Sequence, residues 1–156
     1  MEKVKREDIL DYVTYEDHRE EFRKKVLGIK NARRIHLGDH LTFLFENTET
    51  MRYQIQEMVR TERIVKESDI LHEISTYNEL LGDRGSLGCT LLIEIIDPEK
   101  RDELLRKWLA LPKHLYVILE NGQRSYAKFD ERQVGEDRVS SVQYLKFNCH
   151  DQKPIS

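Results

Sequence analysis

Residues 89–96, Cys-Thr-Leu-Leu-Ile-Glu-Ile-Ile, constrain this chain more than any other stretch. Apolar side chains fall on both alternations of the run, which is the pattern of a strand buried on both faces. Such a strand sits in the middle of a sheet and needs a neighbour on each edge. The aliphatic part, Leu91–Ile96, is six residues long with Glu94 inside it, far short of the ~20 that span a bilayer. The sequence therefore predicts no membrane segment.

The neighbours come from hairpins. Ile35-His36-Leu37 and Leu41–Phe45 flank Gly38-Asp39-His40. A three-residue loop pairs Leu37 with Leu41 and Ile35 with Phe43, keeping one apolar face, whereas a two-residue turn mixes the faces. His114–Glu120 and Gln123–Phe129 flank Asn121-Gly122, the strongest hairpin signal in the chain, and a two-residue turn there puts Tyr116 and Ile118 on the face of Ala127 and Phe129. Val139–Cys149 reads as a last strand, with Gln143, Leu145, Phe147 and Cys149 on one face.

Four helices separate these strands. One starts near Thr14, with Thr14 as cap and Asp17 at the capping-box position. Another runs from Thr48 to Val65 behind Asn47 or Thr48. A third covers Ser68 or Asp69 to Leu81, and a fourth starts at Asp97-Pro98-Glu99 and stops before Pro112. The fold class is α+β: a mostly antiparallel sheet of about five strands with three to four helices packed on it, in a single domain, residues 1–156.

Composition narrows the function classes. The chain has 26 Lys+Arg against 29 Asp+Glu, a net charge of -3, with 35% charged residues. That balance argues against a general nucleic-acid binder. The basic run Lys24, Lys25, Lys30, Arg33 and Arg34 suits a helix C-terminus and carries no interleaved stacking aromatics. Met1–Asp8 is charged and holds no signal-peptide core. The two cysteines, Cys89 and Cys149, read as reduced buried thiols of a cytoplasmic protein, able to pair only if their strands are neighbours.

Chemical motifs are sparse. GxSxG, GxGxxG and Walker patterns do not occur, and Gly82–Gly88 reads as a helix-to-strand loop. The six histidines show no metal spacing; Asp69-x-x-His72 occurs once, and His36 and His40 bracket a tight loop. No cofactor and no metal are expected. The anomalies are two acids. At helical spacing Glu62 lies among Met51, Ile55, Met58, Val59 and Val65, and strand alternation aligns Glu94 with Leu92 and Ile96. A carboxylate in such a place needs a partner: a structural ion pair with Arg60, Arg63, Arg124 or Lys146, or a site for acid–base work or cation binding.

Leu44-Phe45-Glu46 followed by Thr50-Met51-x-Tyr53-Gln54-x-Gln56-Glu57-Met58-x-Arg60-x-Glu62-Arg63-Ile64 resembles a bacterial family known as domain of unknown function 3501. Tyr77-Asn78-x-Leu80, Thr90-Leu91-Leu92-Ile93-Glu94 and Val142-x-x-Leu145-x-Phe147 carry the resemblance through nearly the whole chain. It implies an accessory role in oxidative-stress or electron-transfer chemistry, since members are encoded beside rubrerythrin-like proteins and iron–sulfur oxidoreductases. Relatives often show His where this chain has Gln143, which weakens a catalytic role for the last strand. The motif residues Gln54, Glu57, Arg60, Glu62, Arg63, Tyr77, Asn78 and Glu94 are the ligand-binding candidates. The leading expectation is a non-enzymatic accessory protein meeting a rubrerythrin-like or iron–sulfur redox partner, or a second copy of itself. The alternative is an enzyme or a ligand- or metal-binding protein with a carboxylate–arginine pocket.

Overall fold

The computed structural model describes residues 1–130, 134–150 and 153. They form two compact units, one of Met1–Arg33 and Glu46–Leu81, the other of Arg34–Phe45 and Gly82–Ser156. The class is α+β: four α-helices, a four-stranded antiparallel sheet and a two-stranded one among the described residues.

The first unit is helical: α1 (Tyr12–Asn31), α2 (Thr48–Thr61) and α3 (Glu67–Asn78). Its core gathers Val4, Ile9, Met51, Ile55, Val59, Ile70, Ile74 and Leu81. The cap of α1 is Asp11, not Thr14. The Asp11 carboxylate accepts the Thr14 backbone N–H at 2.9 Å and the Thr14 hydroxyl at 2.7 Å, so the expected capping residue serves a stronger cap three positions earlier. Asn47 caps α2 and exchanges bonds of 2.9 Å each way with Thr50. The third helix starts at Glu67, slightly before the expected Ser68, and ends at Asn78.

The end of α2 corrects the first anomaly. The helix stops at Thr61 instead of Val65, Arg63 turns left-handed at φ 50°, and Ile64 N–H returns to Val59 O at 2.9 Å. This two-bond closure usually has glycine at the left-handed position. Ile64 packs on the core, while Glu62 and Val65 are exposed. Helical periodicity does not extend to Glu62, so it occupies no apolar arc. Arg63→Gly should raise stability by about 0.5–1 kcal/mol by relieving the left-handed side chain, readable as a higher urea midpoint.

The second unit is built on the sheet order β1 (Arg34–Leu37), β2 (Leu41–Phe45), β3 (Ser86–Ile93) and β6 (Val142–Asn148). The 89–96 run is thus central as expected, although the strand itself begins at Ser86 and ends at Ile93. The first hairpin has the expected register, Leu37 opposite Leu41 and Ile35 opposite Phe43. In the loop before β3, a Cβ on Gly82 would lie 2.3 Å from Ser86 O, so that glycine answers a backbone approach. Asp97 caps α4 (Pro98–Lys107), accepting Glu99 N–H at 3.0 Å.

The second hairpin corrects the expected register. Between β4 (Tyr116–Ile118) and β5 (Arg124–Tyr126), Tyr116 faces Tyr126 and Ile118 faces Arg124. Gly122 N–H bonds Leu119 O at 2.8 Å with Gly122 at φ 82°. Asn121 does not take the positive φ that a two-residue type I′ turn demands, and the loop gains a residue. Tyr116 therefore shares its cross-strand position with Tyr126 instead of the face of Ala127 and Phe129.

The inner face of the sheet is covered by α4 and the β4 segment. Leu105, Leu115, Val117 and Leu119 pack on Phe43, Cys89, Leu91, Leu145 and Phe147. Full burial of side chains such as Leu91 and Phe147 contributes roughly 1.5–3 kcal/mol each. Cys89 and Cys149 are both buried and form no disulfide. Their strands are neighbours, but Cys89 lies opposite Leu145, four residues from Cys149, about 13 Å along the strand, so the two thiols do not meet.

Candidate functional site

Two of the candidates, Glu57 and Arg60, come together on the face where α1 meets α2. Glu57 on α2 accepts three hydrogen bonds from Arg19 on α1: Nη2 to Oε1 at 2.8 Å, Nε to Oε1 at 3.1 Å and Nε to Oε2 at 3.0 Å. Tyr53, one turn earlier on α2, donates its hydroxyl to Glu57 Oε1 at 2.9 Å. Arg60 lies 4.0 Å from Glu57 Oε2 and also pairs with Glu16. Tyr15, wholly buried, brings a hydroxyl with no hydrogen-bond partner among the described residues.

The electrostatics follow from this packing. Burial alone raises the Glu57 carboxyl, but the Arg19 and Tyr53 hydrogen bonds and the Arg19 charge outweigh it and hold it below the usual carboxylate range. Burial, and then the neighbouring Glu57 charge, pushes the Tyr15 phenol well above its ordinary value. Tyr53 is raised by burial and then by the hydrogen bond it donates to Glu57. The arrangement keeps Glu57 ionised and both phenols protonated at neutral pH. Glu57, Arg19 and Tyr53 satisfy one another, while the Tyr15 hydroxyl packs beside them without a hydrogen-bond partner among the described residues.

A pH profile follows. Glu57 is lowered on folding, so its contribution is complete above ~4.3 and is lost as pH falls through its folded value. Tyr15 is raised, so its contribution is complete below about 10 and is lost as pH rises toward its folded value. Tyr15→Phe should leave the acid limb of a melting-temperature profile intact and shallow the alkaline limb, with Tyr53 supplying the remainder. An unchanged alkaline limb would contradict the assignment.

The other candidates are placed elsewhere. Asn78 straps the N-terminal segment: its Nδ2 donates to Val4 O and its Oδ1 accepts Val4 N–H, both at 2.9 Å. Tyr77 packs against the helical core, and Gln54 is half-buried. Glu62 and Arg63 are exposed at the end of α2. Arg60 and Arg63 line an open cleft of about 630 Å³ with Tyr12, Glu16, Asp17 and Thr61, where the two acids offset the two arginines.

Glu94 belongs to the second unit and is exposed just past β3, correcting the second anomaly. Leu91, Ile93 and Ile95 point inward, while Glu94 and Ile96 point outward, Ile96 being 98% exposed. The Thr42 hydroxyl donates to Glu94, and His36 Nδ1 lies 2.9 Å from the same hydroxyl. Both partners therefore converge on a buried threonine, an order unlike a nucleophile–base–acid relay. His40 instead lies tilted against Trp108 at 6.1 Å. Among the described residues, no group of three or more His, Cys, Asp or Glu is placed to hold a metal ion.

Sequence reasoning missed the acid that does point inward. Glu46, 5% exposed, accepts the Thr50 hydroxyl at the start of α2. It also missed Gln56, fully buried, whose Nε2 donates to Leu10 O at 2.9 Å while its Oε1 accepts Leu10 N–H at 2.8 Å.

The family model described as "Protein of unknown function (DUF3501)" matches residues 3–154. The chain belongs to the DUF3501 family. A crystal structure of a novel protein of unknown function from Burkholderia pseudomallei K96243 is similar to it, with a TM-score of 0.88 and 29% identity over 96% of this chain and 79% of that one. No curated protein matches the chain. In this DUF3501 member the Gln-Glu-Met-x-Arg segment faces α1 and the N-terminal strap, with Gln56, Glu57 and Arg60 all bonded within the helical unit. No helix among the described residues is long and apolar enough to cross a membrane.

Proposed function

We propose that this protein is a non-catalytic accessory protein that works by contact. The observation that carries the reading is a strip of the sheet's inner face left uncovered. The layer of α4 and β4 covers β3 and β6 but stops short of β1, where Ile35 and Leu37 are 55% and 57% exposed. They open a groove of about 420 Å³ whose walls include Phe43, Phe45, Val117 and Phe147. Contiguous exposed apolar surface of this kind marks protein contacts more often than chance. Glu57 and Arg60, in contrast, are engaged with Arg19, Tyr53 and Glu16 inside the helical unit.

The partner class we propose is a rubrerythrin-like or iron–sulfur oxidoreductase, in support of oxidative-stress chemistry, on the context the family resemblance supplies. Titration calorimetry of the full chain with such a partner should give a dissociation constant in the micromolar range or tighter. Absence of heat and of complex at about 100 μM would contradict the proposal. A stoichiometric transition metal in the purified protein would instead favour the carboxylate–arginine alternative.

A further inference from the structure

The groove ends at a sheet edge, and the two edges of the sheet differ. The β6 edge is bridged at Lys146: Lys128 N–H donates to Lys146 O at 2.7 Å and Lys146 N–H to Lys128 O at 2.9 Å. The β1 edge has no strand beside it among the described residues. In an antiparallel ladder every second residue of an edge strand turns its N–H and C=O away from its neighbour, so β1 offers backbone donors and acceptors at the mouth of an apolar groove. Such edges are templates for an added strand.

The two faces of β1 say what the added strand must carry. Ile35 and Leu37 lie on the groove side, and Arg34 and His36 on the other. Directly opposite residues of paired strands share a face. A segment paired with β1 therefore needs apolar side chains beside Ile35 and Leu37 and gains from acidic ones around Arg34. The groove mouth adds a cation: Arg124 stacks 4.5 Å over the ring of Tyr116, which lines it. A second copy of β1 is a poorer fit, because the matching face of its strand carries Arg34 and His36 and brings no carboxylate to Arg34.

We infer that β1 binds an extended segment of a partner protein with alternating apolar and acidic residues, added to the sheet as a further strand. This rests on the contact reading above and specifies its geometry. The test uses a synthetic octapeptide of alternating Val and Glu, a Val–Lys control, and a Val–Glu peptide N-methylated at every second backbone nitrogen. The Val–Glu peptide should slow amide exchange at alternate residues of Arg34–Leu37 by about tenfold or more. The Val–Lys and N-methylated peptides should bind at least about tenfold more weakly.

Binding of the Val–Glu peptide without protection of β1, or equal binding of all three peptides, would overturn strand addition. Sedimentation showing a dimer with β1 amides already protected would assign the edge to a second copy and overturn it as well. The two proposals separate cleanly. A redox partner that binds through the groove while leaving β1 amides unprotected sinks strand addition and leaves the contact reading standing. A protected β1 with no redox partner binding does the reverse.

Discussion

Gln56→Met should lower the folding free energy by about 2–4 kcal/mol, the largest loss expected from any single motif residue. Methionine fills nearly the same volume, so packing changes little. What disappears is a pair of bonds to the backbone of Leu10, made by a side chain with no solvent exposure. Each backbone group left unpaired costs about 1–3 kcal/mol. The loss should appear as a lower urea midpoint at unchanged slope, with faster amide exchange around Leu10. Gln54→Met, on the same helix but half-buried, should change stability by less than about 0.5 kcal/mol. Equal losses from the two variants would mean that the motif is not acting as a strap.

Leu37→Glu should do the opposite: leave stability almost untouched and remove binding. Leu37 is 57% exposed on an edge strand, so in the free protein the new carboxylate stays in water. In a complex it must be buried against Phe43, Phe45 and the partner's apolar side chains, with nothing to pair with. A loss of about 2–2.7 kcal/mol, or 30–100-fold in affinity, is the scale for such a position. Leu37→Val keeps the apolar surface and should bind within about threefold of the parent.

Both predictions rest on features that the sequence showed unevenly. The first hairpin was legible because its apolar alternation admits one register and Gly38, at φ 63°, supplies the turn. Asn121-Gly122 misled because the dipeptide fits two loops, and the longer one needs a positive φ at Gly122 alone. The end of α2 was hidden because its closing left-handed residue is an arginine, not a glycine. That concealment made Glu62 look buried.

Glu94 followed from the opposite ambiguity. A run apolar on both alternations does not say where β3 stops, and past Ile93 one alternation is wet. Glu46 went unseen because it sits at a strand-to-helix junction, where neither period applies. Arg19 went unseen because its partner Glu57 is 38 residues further on and on another helix. Periodicity reports which face is buried, and it carries no information on which buried or half-buried polar groups find each other.

The central claim is that Glu57, held by Arg19 and Tyr53, ties α1 to α2 while the uncovered strip beside β1 makes the partner contact. It is tested most directly by titrating one redox partner against Glu57→Gln and Leu37→Glu side by side at neutral pH. The account predicts that Glu57→Gln melts earlier yet binds within about twofold of the parent, while Leu37→Glu melts normally and binds about 30–100-fold more weakly. The reverse order, with binding lost in Glu57→Gln and kept in Leu37→Glu, would contradict it.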